Sequence, residues 1–345
     1  MTKTSNLHDP KFWATADALK KVGDLKLCLA NSSADACEGP IINAHTIPRS
    51  QLQRIAINSH VYAFKGNLPT LAKNEGKLEI GKFGTSQFSV LKCFCAKHDR
   101  EIFLCVENAA LEGTDVQVAT LNYRGVASEV YRKMRSLATF EHASMIDERV
   151  VENAFKQEIV DAFLHGSKLG LLDIGRTFSD CERSIFSVSH DDVSSLIIQF
   201  QRPPGVMSVG GFGPEYDFNG RMVQVLGIDE TKYQHATISL LANDEGAFFV
   251  LAWLKKETAA LRLAQSLILQ DPKRYTTLIL QLVFEYIENT CMNIPWWDGL
   301  KEVERNVLTR RMQDAVSTSN RSNSLTYGGM TFDDWGYKSH KFSNI

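Results

Sequence analysis

The sequence predicts an α+β protein made of three folded sections and a polar tail. Three observations lead there. Between Cys28 and Asp99 the chain gathers four of its seven cysteines and three of its nine histidines, ligand chemistry that suits a zinc-built module. From Thr114 to about Arg183 apolar residues recur at helical spacing. Beyond Ser187 short apolar runs alternate with Pro, Gly and Asn breaks, the pattern of an antiparallel sheet, and helices follow. The expected sections are 1–113, the zinc-binding module; 114–186, a helical connector; 187–315, a C-terminal antiparallel sheet with helices; and 316–345, a polar tail.

Composition narrows the classes. Lys and Arg total 38 against 40 for Asp and Glu, which argues against a chain coated in nucleic acid and leaves room for a local basic face. Met1 to Asp9 is polar, with no secretory h-region, and the longest apolar run, Ala247 to Leu254, is too short to cross a bilayer. No membrane association is expected. The odd cysteine count, with Cys105, Cys181 and Cys291 each standing alone, fits reduced thiols and a cytoplasmic protein.

The elements follow in order. Asp9-Pro10 opens a short helix through Phe12, Ala16 and Leu19 that Gly23 ends. Leu25 to Leu29 and Ile41 to His45 read as strands around a loop. Ser50 to Ile57 reads as a helix, His60 to Phe64 as an alternating strand, and Lys65 to Gly84 as an extended excursion. Val90 to Phe94 is a further strand, and Cys95 to Val106 a helix that opens on a Cys-x-x-His step. Val116 to Leu137 is helical through Tyr123, Ala127, Val130 and Met134, and Val150 to Leu164 continues in kind. Ile197 to Gln201, Met222 to Leu226, Ala236 to Leu241 and Phe248 to Trp253 are the expected sheet strands, with Gly210-Gly211 among the turns. Pro272 to Asn289 and a segment from Pro295 are the last helices, the second burying Trp296, Leu300, Val303 and Val307. The tail, rich in Ser and Asn, is expected to be poorly ordered or to dock through its aromatic residues.

Zinc takes four ligands in a tetrahedron, supplied as two pairs. Cys95-Ala96-Lys97-His98 is the stronger pair, because a two-residue spacer turns both side chains toward one ion. Cys28 and Cys37 form the looser pair. The expected set is Cys28, Cys37, Cys95 and His98, with Cys93 or His45 as possible substitutes.

Cys…Cys, then His45-Thr46-Ile47-Pro48-Arg49-Ser50, then a second Cys-x-x-His pair resembles the HNH, or treble-clef, nuclease family over about residues 25–105. The resemblance implies a zinc-stabilised ββα-like module. It also implies that His45 is a general base on water, with His60 or Asn58 in the second position and Asp99 a ligand to a second divalent cation such as Mg. This sequence departs from the family pattern by carrying Ala44 where an acidic residue usually precedes the base, and by a long insert between His60 and Cys95. The wider layout, with Pro295-Trp296-Trp297, also resembles a group of uncharacterised prokaryotic proteins, of a kind that suggests antiviral defence.

Other features have plainer readings. Gly210 to Glu215 is expected to be a wide turn, and Glu215, Asp217, Asp229 and Glu230 solvated loop acids. Trp296 is the expected core anchor, which leaves Trp297 to meet a partner. Arg132, Lys133 and Arg135, with Arg305, Arg310 and Arg311, form basic runs able to touch phosphates. Two functions follow as expectations. One is an HNH-like metal-dependent nuclease acting on DNA or RNA through His45, His60 and Asp99. The other is a non-catalytic zinc-stabilised module that binds nucleic acid or a protein, the C-terminal domain being one route to a protein partner.

Overall fold

A computed structural model describes residues 10–30, 33, 35–145, 157–187, 189–225, 232–314 and 322–345. Its centre is an eight-stranded antiparallel sheet in the order β10-β5-β8-β7-β6-β9-β2-β3. The strands are β2 (His60–Lys65), β3 (Glu79–Gly84), β5 (Val193–Phe200), β6 (Val206–Phe212), β7 (Ala236–Ala242), β8 (Ala247–Leu254), β9 (Thr290–Met292) and β10 (Tyr337–Ser343). Both faces are covered, so the central strands are apolar at nearly every position instead of alternating. Ala247 to Leu254 is buried throughout: Val250, Ala252 and Leu254 join one core, while Phe249, Leu251 and Trp253 join the other.

The first core holds α5 (Asp115–Ala143) against the sheet, with α4 (Ala96–Glu107) and the end of α6 (Gln157–Ile185). Residues Gln117 to Ser128 of α5 are buried on every side, as expected of a helix sandwiched between layers. Gly125 makes the close approach possible: a Cβ there would lie 2.8 Å from Thr237 Cγ2. The second core is built by α7 (Thr258–Ile268), α8 (Tyr275–Tyr286) and α10 (Glu302–Asp314), with the C-terminal segment. Outside the large sheet lie α1 (Pro10–Val22), α2 (Arg49–Ile55), α3 (Leu68–Lys73), α9 (Ile294–Gly299) and a two-stranded sheet of β1 (Ala44–His45) with β4 (Val90–Leu91). Among the described residues no helix is long and apolar enough to cross a membrane.

The α+β class and the antiparallel sheet are as expected; several elements are not. The excursion Lys65 to Gly84 contains α3 and a full partner strand, β3, in register with β2. Through β9, these two strands extend the sheet whose other members follow Ser187, so the 1–113 segment does not stand apart from it. Gly210 and Gly211 lie inside β6 and not in a turn, because glycine there makes room for Glu129 and Ile287. Met222 makes only an isolated bridge with Tyr216, and Leu226, Asp229 and Glu230 lie outside the described residues. The helix expected from Pro295 breaks at Leu300, whose backbone is extended, leaving Val303 55% exposed. Both tryptophans pack on the second core. Trp297 is the buried one, edge-on to Phe64 at 5.9 Å, while Trp296 lies over Gly205. Helix α7, absent from the expectation, completes the second core. The tail docks: Trp335 is fully buried against Phe200, and β10 pairs along β5.

Candidate metal centre and the polar cavity beside it

The centre forms where three segments converge on the first turn of α4. Leu27 and Leu29 donate backbone N–H groups to Lys92 and Cys93 carbonyls at 3.2 and 2.9 Å, which lays Cys28 beside the run that leads into the helix. The loop before β1 returns over the helix start: Ala96 N–H donates to Pro40 O at 3.0 Å and Lys97 N–H to Glu38 O at 3.3 Å. First-turn N–H groups have no partner within their own helix, so these carbonyls cap α4 and carry Cys37 with them. Cys95 takes the N-cap position and His98 the first turn. The Lys97–Glu38 ion pair, at 3.0 Å, holds the same loop from outside.

As a result the ligand atoms of Cys28, Cys37, Cys95 and His98 all lie within 4.8 Å of one another, and the four could hold a metal ion such as zinc. The three sulfurs stand 3.3, 3.7 and 3.5 Å from His98 Nδ1. Zinc–sulfur bonds near 2.3 Å and zinc–nitrogen bonds near 2.0–2.1 Å in a tetrahedron place sulfur and nitrogen about 3.6 Å apart. The donor set therefore fits in chemistry and in spacing. Burial pushes the Cys28 thiol up to about 11, so without a metal this sulfur is protonated, and binding a metal there would release its proton. This is the set expected from the sequence. Cys93 and His45 are not part of it: β4 ends at Leu91, so strand alternation does not carry Cys93 onto the face of Cys95.

The expected catalytic residues divide. His45 and Asp99 line one small cavity of about 10 Å³, together with Cys93, Phe103, Arg124 and Ser128. That space is about one water molecule's worth. His45 Nε2 lies 2.9 Å from Thr85 O; a carbonyl only accepts, so Nε2 carries the proton and Nδ1 is left as the acceptor. Burial lowers the His45 pKa below the usual histidine range, which keeps the ring neutral. Burial raises the Asp99 carboxyl to about 6, against the opposing charge of Arg124. Arg124 reaches in from α5, pairs with Glu107 at 2.6 Å and covers the Phe103 ring at 3.9 Å. His60 lies elsewhere, at the start of β2, with Nδ1 2.6 Å from Asn58 O. Among the described residues no second cluster of metal-type ligands accompanies His45 and Asp99.

Arg124 and Ser128 were not singled out from the sequence. Their signal is positional: both fall in the stretch of α5 whose every face is buried, where a charged side chain needs a partner. On the other side of α4 a larger cavity of about 830 Å³ includes His98, Asp35, Glu101, Leu104, Val116 and Phe186 in its lining. Comparisons with protein families, with curated proteins and with solved structures return no match. The resemblance to nucleases thus rests on the motif residues themselves.

Proposed function

We propose that this chain is a non-catalytic binding protein in which a structural zinc, held by Cys28, Cys37, Cys95 and His98, fixes a surface for a protein partner. In this reading β1, β4 and α4 act as a ββα unit, split by the insert between β1 and β4. One observation carries the proposal: the ligand cluster at the start of α4 borders the 830 Å³ cavity, where Leu104, Val116 and Phe186 are 52%, 44% and 39% exposed. Large apolar side chains grouped at a cavity mark an interaction site. Asp35 and Glu101 in the same lining disfavour phosphate and favour a protein segment that sets a basic residue beside an apolar one. The test is photo-crosslinking in the source cells from a benzoylphenylalanine placed at Val116. One discrete adduct, lost with Leu104→Asp, supports the reading. Adducts unchanged by that variant, or none, count against it.

The nuclease reading stands second, and the His45 tautomer favours it. Nε2 tied to a carbonyl and Nδ1 left to accept is the arrangement a general base needs. Against it stands the size of the cavity that His45 shares with Asp99, and the distance of His60 from that group. Plasmid DNA and RNA incubated with Mg or Mn distinguish the two readings. Cleavage that disappears in His45→Ala establishes the enzyme and refutes the first proposal.

A further inference from the structure

A cavity of about 450 Å³ lies where the β2–β3 hairpin, the turn before β4, α5 and α10 meet, away from the metal centre. Its size falls in the range of small-molecule sites. Phe64, Phe83, Phe88 and Met312 are among its apolar walls. Phe64 is fixed, edge-on to Phe284 at 6.2 Å and to Trp297 at 5.9 Å, so this wall is part of the core. Phe83 and Phe88 stand 5.8 Å apart at 57°, a second aromatic surface.

Two arginines of α5, Arg132 and Arg135, enter the same cavity. Arg135 spends its Nε on Gly23 O at 2.7 Å. Arg132 is more telling. Among the described residues its ion pair is a loose contact at 3.6 Å with Glu288, whose side chain is 67% exposed, and its buried Nε has no hydrogen-bond partner there. A guanidinium offers a planar fork that matches the paired oxygens of a carboxylate or phosphate, and here only one arm is engaged, by the loose Glu288 contact. Glu129 lines the neighbouring small cavity with Arg132, and burial raises its carboxyl above the ordinary value against the opposing charge of Arg132. Lys133 adds a further positive charge in the small cavity that shares Arg132 and Glu288.

We infer that this cavity binds a small molecule with a flat aromatic body and an anionic head, the body between the phenylalanines and the head on Arg132 and Arg135. The inference does not depend on the metal centre or on the proposed partner surface. Two probes cover the two head groups: adenosine 5′-monophosphate for phosphate and 2-naphthoate for carboxylate. Isothermal titration of the full chain with each, and with adenosine and 2-naphthamide as uncharged counterparts, reads the result. Saturable binding is expected for at least one anionic probe, weaker by about tenfold or more for its uncharged counterpart and for Arg132→Gln. Gln87→Trp, at an exposed lining position, should also block it, which keeps the test alive if Arg132→Gln fails to fold. Whichever probe binds identifies the head group. No saturable binding of either anion, or binding indifferent to both variants, overturns the inference.

Discussion

Replacing Cys95 by serine should remove the metal and loosen the start of α4. The three sulfurs lie 3.3–3.7 Å from His98 Nδ1, the spacing of a tetrahedral donor set around one ion. Structural zinc sites carry about 10–16 kcal/mol of apparent binding free energy, so one ligand in four is worth about 3–4 kcal/mol. That is about a 100- to 1000-fold loss of affinity. It is also a large share of the roughly 5–15 kcal/mol by which a folded protein is stable. Competition with a chromophoric chelator measures the affinity, and proteolysis of the loop between Cys28 and Cys37 reports the loosening. Cys93→Ser is the control, since Cys93 is buried beside the cluster without belonging to it. Full zinc occupancy in Cys95→Ser at unchanged affinity would refute the reasoning, as would equal losses in Cys93→Ser.

Three further predictions concern the fold. Trp335→Ala should cost about 3–5 kcal/mol in urea denaturation, because the indole is fully buried against Phe200; a loss under about 1 kcal/mol would show that the tail does not dock. His235 is depressed to about 4, chiefly by burial and then by the charges of Lys232 and Lys133. The unfolded chain therefore takes up a proton that the folded chain refuses between about pH 6.5 and 4, and stability falls across that window by up to about 3 kcal/mol. His235→Gln should flatten that part of the pH–stability curve, and an unchanged slope contradicts the assignment. Gly125→Ala sets a helix-propensity gain of about 1 kcal/mol against an overpacking cost of about 1–3 kcal/mol. Thr237 cannot swing aside without losing its 2.8 Å hydrogen bond to Asn122, so overpacking should win and the melting temperature should fall. A rise would show that the helix and sheet separate freely.

The sequence by itself determined what short spacing and local period carry. Cys95-x-x-His98 fixes two ligands because three positions span less than one helical turn, and the helical apolar spacing of Val116 to Leu137 and the apolar run Phe248 to Trp253 mark a buried helix and a buried strand. It also pointed to Cys28 and Cys37, though only the loop carbonyls that cap α4 show how a wide spacing closes on one ion. Tertiary structure decided the rest. A glycine pair looks like a turn until a helix carboxylate is seen to need the room that a Cβ would take. Which of two adjacent tryptophans is the more buried depends on packing against Phe64, a residue far away in the chain. Whether His45 and Asp99 meet, and in how small a space, was settled by Arg124 arriving from a helix 25 positions further along than Asp99. Such contacts join residues far apart in the chain, and local pattern holds no information about which of them will pair.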